Sequence, residues 1–174
     1  GLPFSVSDEI AQDRYPTPGP RPRLAFVSPL PPSESGIADY SAELLPELAR
    51  YYDIDVITSQ TEVSDRWIRG SFACHTPEWF EKNASRYERV LYHFGNSSFH
   101  SYMFGLLERI PGTVVLHDFF LSGILNYLQL SGMEPDCYAQ ALLRSHGYEA
   151  LRAFHREGYE STKRYPANLP VLLQ

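Results

Sequence analysis

Residues 23–58, RLAFVSPLPPSESGIADYSAELLPELARYYDIDVIT, decide the fold. Arg23 to Ser28 is a short apolar run that stops at Pro29-Leu30-Pro31-Pro32, the pattern of a buried strand feeding a loop. After Ser-Glu-Ser-Gly36, the apolar positions Ile37, Tyr40, Leu44, Leu45, Leu48 and Ala49 recur at three-to-four spacing, which predicts an amphipathic helix with one face on a sheet. Ile54 to Thr58 is brief and β-branched, so it reads as a second strand that closes a βαβ unit with parallel pairing.

Downstream the same alternation continues. Phe72 to His75 predicts a short strand, and Thr76-Pro77-Glu78 offers an N-cap, a proline at the first helical position and an early acid for a helix to about Arg86. Arg89 to Phe94 predicts the next strand and Gly95 to Ser98 a loop. Phe99 to Arg109 predicts a helix ended by Pro111-Gly112, and Thr113 to His117 a further strand. Beyond His117 only helices are expected: Leu121 to Leu130, a segment from Glu134-Pro135 to about His146, and a last one to about Glu160, with a stub from Asn168. The whole predicts an α/β fold, a Rossmann-like open and mostly parallel sheet with helices on both faces.

The 174 residues suit one domain over residues 23–174. Residues 1–22 hold Pro3, Pro16, Pro18, Pro20 and Pro22 and read as a proline-rich linker. Together with Gly1 in place of a starting Met, that lead sets the expectation of a longer polypeptide. The 43% hydrophobic content permits a packed core. Fifteen basic against 21 acidic side chains, net −6, give no field to attract a phosphate backbone, so nucleic acid is not an expected partner. Cys74 and Cys137 are too few for a disulfide scaffold and fit a reducing compartment. With no 18-residue apolar run and no signal-peptide pattern, a soluble cytoplasmic protein is expected.

Ligands of an open parallel sheet bind beyond the carboxyl ends of its strands. Three predicted loops end there. In the first, Gly36 opens a helix whose unpaired N–H groups and dipole suit an anion, and the glycine lets it come close. Glu34 and Asp39 would repel a phosphate unless they turn outward or bind sugar hydroxyls, and Ser35 or Asp39 is equally read as a helix cap. The loop matches neither G-x-G-x-x-G nor the P-loop pattern. In the second, Asn96 and Ser97 stand either as caps of the following helix or as ligand contacts. In the third, His117 and Asp118 emerge together, although neighbours on a strand point to opposite faces and need not act as a pair.

The histidines lack H-E-x-x-H spacing and Cys74-His75 is isolated, so no metal is expected. No G-x-S-x-G elbow supports a hydrolase triad. The apolar stretch from Phe119 reads as core, acceptor groove or peripheral membrane contact.

Three stretches taken together, 23–49 (RLAFVSPLPPSESGIADYSAELLPELA), 92–98 (YHFGNSS) and 114–123 (VVLHDFFLSG), resemble the amino-terminal domain of retaining, family 4 type glycosyltransferases of GT-B architecture. The order carries the resemblance: a proline- and glycine-containing loop after the first strand, then H-x-x-N one strand before a strand ending in His-Asp. It implies transfer of a hexosyl group from a nucleotide-diphosphate sugar to a saccharide or lipid-linked acceptor, with retention and without a metal or other cofactor. The setting implied is surface polysaccharide or glycan biosynthesis at the inner face of the membrane.

By position, Gly36 resembles the loop glycine whose amide meets the donor diphosphate, and His117 the catalytic histidine near the transferred sugar. Asn96, Ser97 and Asp118 correspond to acceptor-side contacts. The expectation is that the last strand of this domain and the carboxyl-terminal nucleotide-sugar domain lie outside the chain, which alone would be inactive. Two other readings stay open: a non-catalytic module that binds carbohydrate or a partner on the same fold, and a small Rossmann-type nucleotide binder.

Overall fold

The computed structural model describes residues 19–172, so most of the proline-rich lead lies outside the described residues. Five strands form one sheet: β1 (Arg23–Val27), β2 (Asp53–Ile57), β3 (Ala73–His75), β4 (Arg89–Phe94) and β5 (Thr113–Leu116). Their spatial order is β3-β2-β1-β4-β5 and every pairing is parallel. The eight α-helices among the described residues are α1 (Gly36–Leu48), α2 (Arg66–Ser71), α3 (Pro77–Asn83), α4 (Ser101–Arg109), α5 (Ser122–Leu130), α6 (Cys137–Glu157), α7 (Tyr159–Thr162) and α8 (Leu169–Leu172).

Strand periodicity sorts the core into two layers. Leu24 and Phe26 of β1, Ile54 and Val56 of β2 and Leu91 of β4 face one side, where Leu45 of α1 and Ile68 of α2 cover them. Ala25 and Val27, Ile57, Tyr92 and Phe94 face the other, against Phe80 of α3, Met103 and Leu106 of α4, and apolar residues of α5 and α6. Alternate residues of one strand thus fall in different cores, as a period of two requires. This is the doubly wound, Rossmann-like arrangement expected from residues 23–58.

The first crossover leaves β1 toward β2 while β4 proceeds to β5, so strand order reverses between β1 and β4. The loops after those two strands flank the crevice that such a reversal opens at the carboxyl edge. Local signals explain the helix starts. Ser35 accepts from the Ile37 amide at 3.3 Å and caps α1. Thr76 caps α3, with Pro77 in its first turn.

Two elements differ from expectation. Helix α2 lies in a polar stretch with no apolar stripe, and forms because the Asp65 carboxylate accepts from both the Trp67 and Ile68 amides, at 2.8 and 2.9 Å. The two expected carboxyl-terminal helices run on as α6, broken only at Gly147, whose φ of 76° and ψ of −171° interrupt the helical backbone. Among the described residues, no helix is long and apolar enough to cross a membrane.

Candidate functional site

Three loops meet at the carboxyl edge. Gly36 starts α1, Asn96 and Ser97 follow β4, and His117 and Asp118 follow β5. The β4–β5 register pairs His93 with Val115, which puts His117, two residues on, on the same face as His93. The His117 amide donates to the Phe94 carbonyl at 2.8 Å and carries the ladder one step past β5.

His117 and Asp118 then diverge, as neighbours on a strand do. The His117 ring turns to the α1 face, with Nε2 2.9 Å from His93 Nδ1 and the ring edge-on to Tyr40, centroids 5.0 Å apart. Tyr40 is one helical turn beyond Gly36, so α1 brings its first turn to His117. Asp118 instead accepts the Asn96 amide on Oδ2 at 2.7 Å and ties the loops after β4 and β5 together. Gly95 leaves room for that closeness. A Cβ there would stand 2.2 Å from Ile37 Cδ1, 2.9 Å from His100 Cε1 and 3.1 Å from Asp118 Oδ2.

Asn96 is a cap, but not of the helix that follows it. Its Oδ1 accepts the Ile124 amide of α5 at 2.9 Å, across 28 residues. Ser97 precedes the turn leading into α4 without a side-chain cap bond, and its hydroxyl lies 3.0 Å from His100 Nδ1. Asp118 Oδ1 and Asn96 Nδ2 have no partner among the described residues. Gly36 is exposed, its amide donates to none of the described residues, and nothing lies within 4 Å of where a Cβ would sit. Glu34 and Asp39 are both exposed. The segments 28–36, 95–100 and 117–121 contain no Lys or Arg.

From the sequence, His93 stands only as the first residue of H-x-x-N, His100 only as a histidine without metal-ligand spacing and Tyr40 only as a helix-stripe position, none of them as a site residue. His93 and His100 are fully buried, and the Nε2 of each is without a hydrogen-bond partner. Burial, and then the neighbouring rings of His117 and His100, hold His93 down to about 4. Burial lowers His100 and His117 as well, Asp118 opposing it in both. Burial thus disfavours the charged form of all three rings and favours their use in hydrogen bonds. The missed signal was the period of two in RVLYHF, which sets His93 on the face opposite Tyr92 and Phe94.

Among the described residues, no group of three or more His, Cys, Asp or Glu side chains is placed to hold a metal ion. A second groove lies at the carboxyl ends of β2 and β3, lined by Thr58, Gln60, Arg69, Cys74 and His75, away from the strand-order reversal. In comparisons with family models, curated proteins and solved structures, the chain matches none.

Proposed function

We propose that the chain is the acceptor-side domain of a retaining glycosyltransferase of the family 4, GT-B type. On this reading it works beside a second domain that delivers a nucleotide-diphosphate sugar to the crevice between β1 and β4. The observation that carries the reading is the gathering of an unengaged Gly36 amide, a half-buried His117 and unused donor and acceptor atoms of Asn96 and Asp118 on one rim.

Each atom has a part that suits its chemistry. The Gly36 amide, at the positive end of the α1 dipole, meets a diphosphate oxygen. Nothing in the fold needs glycine there, since a methyl group would meet open space; a ligand that approaches the backbone supplies the reason. His117 hydrogen-bonds the transferred sugar near its anomeric carbon and stabilises the charge that develops there. Asp118 Oδ1, Asn96 Nδ2 and the rim at Ser97 take hydroxyls of a saccharide or lipid-linked acceptor. The apolar side chains of Phe119 and Phe120, both exposed, extend that acceptor side.

The three loops 28–36, 95–100 and 117–121 carry no Lys or Arg, and a diphosphate held by them alone keeps most of its charge uncompensated. This favours a half-site over a self-sufficient nucleotide binder. The test is a transfer assay on the polypeptide that carries this domain together with its donor domain. Gly36→Ala is expected to leave the unfolding midpoint within a degree or two and to lower kcat/KM for the nucleotide sugar at least tenfold. Unchanged kcat/KM would remove Gly36 from the donor site.

A further inference from the structure

We propose that His93 is a positioning residue: it fixes His117 in the tautomer that carries its proton on Nδ1, so that His117 faces the crevice as a hydrogen-bond donor. The ligand atom that meets it is then an acceptor, a hydroxyl or phosphoryl oxygen. The inference deepens the reading above and rests on it only for the identity of that atom.

The two rings share one hydrogen bond, 2.9 Å between His93 Nδ1 and His117 Nε2. A neutral imidazole has one N–H and one bare nitrogen, so two arrangements satisfy the contact. In one, His117 donates from Nε2; His93 then accepts on Nδ1 and must carry its proton on Nε2. That atom is buried and without a partner, in a ring packed 4.6 Å from Phe26 and 5.8 Å from Tyr40, centroid to centroid. In the other, His93 donates from Nδ1 and keeps only a bare lone pair in the apolar site. Orphaned buried N–H groups are rarer than under-used acceptors, which selects the second arrangement. The consequence passes to His117: with Nε2 accepting, its proton sits on Nδ1. His117 Nδ1 has no partner among the described residues and is not among the buried unpaired atoms, so it is open to a ligand.

A purely structural His93 is hard to account for. It is fully buried, uses one of its two ring nitrogens, and sits where leucine would fill the same apolar space. Fixing a neighbour's tautomer gives the imidazole a use that leucine lacks.

The test is long-range proton–nitrogen NMR on the histidine rings of the ¹⁵N-labelled chain at pH 7.5, with ring signals assigned by single variants. The wild type is expected to show both His93 and His117 protonated on Nδ1. His93→Asn, whose amide N–H can take the place of Nδ1–H, is expected to keep the His117 pattern. His93→Leu is expected to return His117 to the Nε2–H form that an unconstrained imidazole favours. A wild-type His117 protonated on Nε2 would overturn the inference, and so would the same His117 tautomer in wild type and His93→Leu. If the leucine variant does not fold, the wild-type spectrum decides by itself. In the two-domain polypeptide, His93→Leu is expected to lower kcat/KM about tenfold and His93→Asn to recover most of it. Transfer that ignores His117 altogether, with the stated tautomer observed, would count against the glycosyltransferase reading and leave this inference standing.

Discussion

At His93 the proposed positioning role stands against the stability of the fold. Its ordinary pKa of 6.5 falls to about 4 in the fold because burial penalises the charged ring. Between those values the unfolded chain binds a proton that the folded chain refuses. Stability is therefore full above about pH 6.5 and falls as the pH drops toward 4, by on the order of 3 kcal/mol from this ring. His100 and His117 are lowered too and act with the same sign. Urea unfolding between pH 7.5 and 4 is expected to show this loss, and His93→Leu to show less of it. At pH 7.5 the same variant is expected to match or exceed wild-type stability, because it removes a buried nitrogen without a partner. His117 and Asp118 were legible in the sequence as residues leaving a strand end. His93 was not, because a histidine inside an apolar strand reads as core until the register of β4 against β5 is known.

At the scale of elements, capping residues and close approaches hold the rim. Asn96→Ala is expected to lose the cap on α5 and cost about 1 kcal/mol, read by urea unfolding, because the Ile124 amide is left without an acceptor. Gly95→Ala is expected to cost about 1–3 kcal/mol and to move Ile37 away from the loop after β4, since the added methyl overlaps Ile37 Cδ1 and His100 Cε1. Strands β1, β2 and β4 and helices α1, α3 and α4 could be read from apolar periodicity and turn chemistry, because each carries a long enough stripe or run. Helix α2 could not: its six residues bury little besides Ile68, and its only sequence signal is the capping Asp65. Asn96 was expected to cap α4 or meet a ligand. Its role at α5 depends on a contact across 28 residues that no local pattern encodes.

For the whole molecule, the strand order decides where chemistry can occur. Order β3-β2-β1-β4-β5 opens its crevice between β1 and β4, and the three loops 28–36, 95–100 and 117–121 at its rim carry no Lys or Arg. The isolated chain is expected to bind nucleoside diphosphates more weakly than about 1 mM by calorimetry, a standard free energy of about −4 kcal/mol at most. Submicromolar binding would favour a self-contained nucleotide binder. The open parallel fold was legible from residues 23–58, whereas the meeting of the first turn of α1 with the loops after β4 and β5 emerged only from the packing of α1 on the sheet. The central claim is that His117 serves the transferred sugar. The most direct measurement compares sugar transfer by the two-domain polypeptide in wild-type and His117→Ala forms, with His75→Ala, at the far edge of the sheet, as control. The account predicts a loss of about a hundredfold in kcat/KM for His117→Ala and a near-wild-type rate for His75→Ala. Equal rates for all three proteins would contradict it.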